Sequence, residues 1–105
     1  MDFIITGSRA YGPAREDSDL DIVVKSCDIE SMTDYLLDHN IQTYSTSDQE
    51  SYAGFYFNIA GIKINIIVAE YEADFRLWEH RTDIMKKMSP IEDREKRLAT
   101  FNSIT

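Results

Sequence analysis

Two alternating runs joined through Gly61 constrain this chain most. Ala53, Phe55, Phe57 and Ile59 alternate with Tyr52, Gly54, Tyr56 and Asn58, and after Gly61 Ile62, Ile64, Ile66 and Val68 alternate with Lys63, Asn65 and Ile67. A period of two is that of a strand with one face toward a core. So short a connection makes the pair an antiparallel hairpin. A lone hairpin is marginal in water, so the remaining residues must supply further strands beside it and helices over it.

The sequence offers both. Phe3 to Thr6 is a short apolar, β-branched run stopped at Gly7, and the stretch from Gly7 to Ser18 is too rich in glycine, proline and polar residues for a long element. Leu20, Ile22 and Val24 then alternate with Asp19, Asp21 and Val23, which puts the two aspartates on one face of a second strand. Asp28 is placed to cap a helix with the stripe Ile29, Met32, Leu36 and Leu37, ended by Asn40. Ser45 to Glu50 reads as polar loop. Phe75, Trp78, Met85 and Met88 recur at helical spacing, and Ser89, Pro90 and Glu92 spell an N-cap, a first-turn proline and a capping box for a last helix carrying Ile91, Leu98 and Phe101. The order describes an α+β domain, a small mixed or antiparallel sheet with helices packed on it. One domain over residues 1–105 is expected, with the sheet core in 1–72 and two helices in 73–105.

Composition narrows the function. Eleven basic residues against nineteen acidic ones give a net charge of −8, a surface that disfavours nucleic acid as a partner. The apolar runs fall short of the roughly 20 residues that span a bilayer, and the acidic start Met1-Asp2 does not read as a signal peptide. With Cys27 the only cysteine, no internal disulfide can form, and a cytoplasmic location is expected. The charge is uneven. Residues 1–75 carry four basic and fourteen acidic side chains, whereas 76–105 carry seven basic and five acidic. The basic end faces either a phosphate-bearing ligand or solvent, and a solvated helical surface is the plainer reading.

The chemistry concentrates in Gly7-Ser8 and, ten residues later, Ser18-Asp19-Leu20-Asp21. A Gly-Ser turn leaving a strand offers backbone N–H groups and a hydroxyl to phosphate oxygens. Carboxylates at i and i+2 on the next strand project side by side. That suits Mg²⁺, which takes one or two carboxylates together with substrate phosphates. Either half alone is common; a hydrophobic strand before each half makes the joint pattern informative.

Gly7-Ser8-Arg9-Ala10-Tyr11-Gly12 followed by Ser18-Asp19-Leu20-Asp21-Ile22-Val23-Val24 resembles the signature of the DNA polymerase β-type nucleotidyltransferase superfamily in a minimal, single-domain form. Trp78, Ile91-Glu92-Asp93-Arg94 and Phe101 are similar to a pattern in small phage-encoded relatives, for which the host cytoplasm would be the location. The resemblance implies Mg²⁺ (or Mn²⁺) and an NTP, from which a nucleoside monophosphate passes to an acceptor with release of pyrophosphate. It assigns Gly7 and Ser8 to the triphosphate, Asp19 and Asp21 to the metal ions, and Arg9 to a phosphate. It also implies a third carboxylate on a later strand, where this sequence has Asn65. An amide oxygen can coordinate a cation but brings no charge and cannot act as a base.

Other residues are weaker candidates. Lys63 shares a strand face with Asn65 and could meet a phosphate. Glu70 is an odd offset from Asn65 and faces away, whereas Asp48, Glu50 and Asp74 lie on flanking segments. Tyr52 and Tyr56 share a face that could stack on a base. His39 and His80 lack metal-ligand spacing, and Cys27 lacks an activating neighbour beyond Lys25. With about 80 residues after Asp21, little chain is left for an acceptor-gripping domain, so a protein acceptor or target is considered. A non-catalytic acidic inhibitor on the same fold and an antitoxin-like modifier of a partner protein are the alternatives to an enzyme.

Overall fold

The computed structural model describes residues 1–46 and 53–105. Its sheet has five strands, β1 (Phe3–Thr6), β2 (Leu20–Lys25), β3 (Tyr44–Ser45), β4 (Gly54–Ile59) and β5 (Ile62–Ala69), in the spatial order β1-β2-β5-β4-β3. Only the β2–β5 pair is parallel; the others are antiparallel, so the sheet is mixed. The helices are α1 (Ser8–Tyr11), α2 (Ile29–Asp38), α3 (Glu72–Lys87) and α4 (Arg94–Ser103). The expected hairpin is β4–β5, and its turn residues Ala60 and Gly61 have φ of 53° and 79°. Two successive positive φ values are what a two-residue type I′ turn requires.

Both faces of the sheet are covered at its centre. Val23, Ile67, Ala69 and Phe75 form one buried cluster, with Ile4 and Trp78 against it, beneath α3. Val24, Leu36, Phe57 and Ile66 form the second, beneath α2. Val23 and Val24 are therefore both fully buried, although only alternate residues of this strand were expected to face a core. A buried hydrogen bond of 2.8 Å between the Thr6 and Thr82 hydroxyls ties β1 to α3.

Several sequence expectations are corrected. Asp28 makes no side-chain cap; a 3-10 turn over Ser26–Asp28 runs directly into α2, leaving Asp28 in helical rather than extended backbone. Leu36 is buried but Leu37 is 73% exposed, since neighbours about 100° apart on a helix cannot both face the sheet. Asn40, at φ 58°, stops α2 as expected. The Ile41 N–H reaches the Leu36 carbonyl and the Asn40 N–H that of Leu37, a Schellman ending. Met88 is half exposed and sits beyond α3. The last helix starts at Arg94, not at Pro90. Asp93 accepts the Lys96 N–H at 3.1 Å, and Arg97 donates to the Ile91 carbonyl at 3.1 Å, so residues 89–93 stay outside the helix and the later cap wins. Ser45, read as loop, belongs to β3. Asp48, Glu50 and Tyr52 lie outside the described residues.

Candidate active site

Strand register assembles the site. Thr6 of β1 stands opposite Asp21 of β2, Asp21 beside Asn65 of β5, Asn65 opposite Tyr56 of β4, and Tyr56 opposite Tyr44 of β3. These five side chains form one row across the sheet, on the face that α3 covers only in part. Asn65 is 8% exposed, and its Nδ2 donates to Asp21 Oδ1 at 2.9 Å and to Asp19 Oδ2 at 3.2 Å. One amide group thus gathers both carboxylates, and hydrogen bonds to an ionised acceptor are the stronger kind.

Gly7 ends β1 against the same carboxylates. Its φ is 74°, in the region that side chains other than glycine rarely adopt, and a Cβ there would collide with Asp21 Oδ2. The backbone at Gly7 therefore approaches Asp21 more closely than an alanine would allow. Ser8 opens α1, whose first N–H groups have no intrahelical acceptor by virtue of helix geometry.

The loop between α1 and β2 is riveted from within. Arg9 donates through Nε to the Ser18 carbonyl at 2.7 Å and through an Nη to the Glu16 carbonyl at 3.1 Å, while Ser18 Oγ accepts the Arg15 N–H at 2.7 Å. The guanidinium of Arg9 is thereby spent on the chain that delivers Asp19, and it does not line the cleft described next. Lys63 stands on the outer side of the pair, its Nζ 4.0 Å from Asp19 Oδ2 and 4.5 Å from the centre of the Tyr56 ring. Glu70 lies beyond β5, and Asp74 accepts the Tyr71 N–H in the first turn of α3; neither borders the carboxylates.

A cleft of about 450 Å³ opens over Asp19, Asp21 and Asn65, a size in the range of small-molecule sites. Gly7, Ser8 and Tyr11 form one wall and Trp78 the back. The other wall is α4, through Arg94, Arg97, Leu98 and Phe101. Phe101 is buried between Trp78 and Tyr11, with ring centres 5.2 and 6.1 Å away, and Arg81 fastens the end of α4 by donating to the Ile104 and Asn102 carbonyls. Burial pushes the Tyr11 phenol above its ordinary value; the positive charge of Arg97 opposes this and the negative charge of Asp21 adds to it. Arg94 and Arg97, in the basic end read either as facing a phosphate-bearing ligand or as solvated helical surface, line this cleft. The signal available was the basic excess of residues 76–105.

The donor set fits one divalent ion. Asp19 and Asp21 offer two converging carboxylates, and the bare backbone of Gly7 keeps their inner side clear of a Cβ. Among the described residues no group of three or more His, Cys, Asp or Glu side chains is placed to hold a metal, so the remaining ligands would come from substrate and water.

One comparison agrees with this architecture. No family model matches the sequence, and no curated protein does. Among solved structures, the fold is similar to that of Cid1 poly(U) polymerase, with a TM-score of 0.58 and 16% identity over 81% of this chain and 27% of that chain. The chain thus has a nucleotidyltransferase-like fold, and it spans about a quarter of that larger structure. None of these findings bears out the narrower likeness to phage-encoded proteins. Among the described residues no helix is long and apolar enough to cross a membrane.

Proposed function

We propose that this chain is a metal-dependent nucleotidyltransferase that moves a nucleoside monophosphate from an NTP to an acceptor. The observation that carries this reading is the convergence of Asp19 and Asp21 on the Asn65 amide, at the floor of a cleft whose rim is the Gly7-Ser8 turn. In such a transfer an acceptor oxygen attacks the α-phosphorus, the bond to the bridging oxygen breaks, and pyrophosphate leaves. Catalysis then consists mainly of positioning and charge neutralisation. Asp19 and Asp21 would hold Mg²⁺ or Mn²⁺, which when bound offsets negative charge on the phosphates. Ser8 and the first N–H groups of α1 would meet phosphate oxygens. Asn65 orients both carboxylates but cannot take the acceptor proton, so among the site residues that proton falls to an aspartate or leaves to water.

Calorimetric titration of each NTP with Mg²⁺, on the wild type and on an Asp19→Asn, Asp21→Asn variant shown to be folded, tests the reading. Micromolar binding that disappears in the variant is expected; wild-type protein that ignores millimolar NTP refutes it. Asn65 in place of a third carboxylate favours a second reading, a nucleotide- or protein-binding module without turnover. Pyrophosphate release in the presence of candidate acceptors, including proteins, separates that reading from an enzyme.

A further inference from the structure

We infer that α4 is a polyphosphate-binding arm, in which Arg94 and Arg97 face the anionic tail of the ligand across the cleft from Asp19 and Asp21. The inference rests on the reading of the cleft as a nucleotide site and adds to it the residues that select for several linked phosphates. Three observations carry it.

The first is the placement of the charges. Both arginines line the same cleft whose floor carries the carboxylates, and no ion pair among the described residues joins either arginine to an acid. Opposite charges that line one cleft without pairing suit a ligand carrying both signs, as a metal-bound polyphosphate does.

The second is that helix stability does not explain Arg94. It is the first residue of α4, directly after the Asp93 cap, where the helix dipole disfavours a positive charge. Its side chain is exposed on the cleft side, with no side-chain hydrogen bond among the described residues to explain it.

The third is that α4 is fixed where a binding arm must be. Phe101 is clamped between Tyr11 and Trp78, and Arg81 holds the helix end. Arg97 is braced by the Ile91 carbonyl through one Nη, which leaves the rest of its fork for a second partner.

The probe is inorganic tripolyphosphate, which has the phosphate chain without base or sugar, titrated into the full chain by calorimetry with Mg²⁺ and separately with EDTA. Arg94→Gln is the main variant because its side chain bonds no other described residue; Arg97→Lys keeps charge but loses the planar fork. Thermal melts confirm that both stay folded. The expected result is tripolyphosphate binding to wild-type protein that weakens about tenfold or more in Arg94→Gln, with a smaller loss in Arg97→Lys and little affinity for orthophosphate. Equal affinity in wild type and Arg94→Gln, or no binding to the wild type, overturns the inference. Failure of the two ideas is distinguishable: an Mg–NTP complex lost only in the aspartate variant removes α4 from the site and keeps the functional reading. Tripolyphosphate binding that needs Arg94 while NTP binding ignores the aspartates keeps the arm and removes the metal site.

Discussion

Replacing Asn65 with aspartate is the sharpest probe of the site. The change is nearly isosteric, at a position 8% exposed, and it puts a third carboxyl where one amide group now touches Asp19 Oδ2 at 3.2 Å and Asp21 Oδ1 at 2.9 Å. Two unit charges about 3 Å apart repel by roughly 5 kcal/mol at an effective dielectric of about 20, less here because Asp19 is partly solvated. The new carboxyl escapes that cost by keeping its proton, which sets a ceiling. Holding a proton at pH 7 on a group with an ordinary value near 4 costs about 1.4 kcal/mol per pH unit, or about 4 kcal/mol. The sign follows from linkage: a carboxyl whose folded value is raised loses stability as pH climbs above its unfolded value. Asn65→Asp should therefore lie close to wild type near pH 4 and fall about 2–4 kcal/mol below it at pH 7. At roughly 5 °C per kcal/mol, that is a drop in Tm of about 10–20 °C. A divalent cation bound by the three carboxylates should close the gap, so melts from pH 4 to 8 in EDTA and in Mg²⁺ supply the assay. A gap between the two proteins that ignores both pH and Mg²⁺ would mean that Asn65 does not sit between the aspartates, and the site as described would fail.

Two further outcomes follow from local geometry. Gly7→Ala combines a left-handed φ with a collision at the Asp21 carboxylate, whereas Gly61→Ala has an equally positive φ but nothing within 4 Å of its Cβ. Gly61→Ala should lose about 1–2 kcal/mol in urea denaturation from backbone strain, and Gly7→Ala more, since its ψ of −163° lies outside the left-handed helical well; only Gly7→Ala should also weaken Mg²⁺ binding, and equal effects on the metal would remove Gly7 from the site. Separately, a hydrogen bond from Lys25, 2.8 Å away, holds Glu72 below the usual carboxylate range, with Arg76 assisting. That contribution is present above the ordinary glutamate value and fades as pH falls through the lowered one. In Lys25→Met, the Glu72 midpoint followed by carboxyl carbon NMR should move upward, and an unmoved midpoint would show that the pair tying β2 to α3 does not form in solution.

What the sequence revealed depended on how local each determinant is. The β4–β5 hairpin was readable because alternation and a two-residue turn act over neighbouring residues. The Gly7-Ser8 turn and the Asp19, Asp21 pair were readable for the same reason, since a period of two puts both carboxylates on one side whatever lies across the sheet. β3 was missed because two residues, Tyr44 and Ser45, carry no period of their own and become a strand only by pairing with β4. The start of α4 was misjudged because two cap signals sit four residues apart, and the contact of Arg97 with the Ile91 carbonyl helps decide between them. Arg94 and Arg97 stayed undecided for a deeper reason. A helical charge pattern says which residues share a face but not what that face meets, and here the docking of Phe101 between Tyr11 and Trp78 turns α4 toward the carboxylates.

The core itself sets the registration of the site. Ile64 and Ile66 pack toward α2, whereas Ile67 and Ala69 pack toward α3, and Asn65 is carried between them onto the α3 face beside Asp21. A slip of β5 by one residue along β2 would present Ile64 or Ile66 to Asp21 and turn the amide to the other face. It would also expose one isoleucine set and bury the polar side of the strand, at about 1.5–3 kcal/mol for each isoleucine taken out of the core. The two hydrogen bonds that Asn65 makes are thus maintained by hydrophobic packing on both sides of the sheet rather than by their own strength. For this reason a conservative change at the site, such as Asn65→Asp, can alter the electrostatics around Asp19 and Asp21 while the backbone that positions them stays in place.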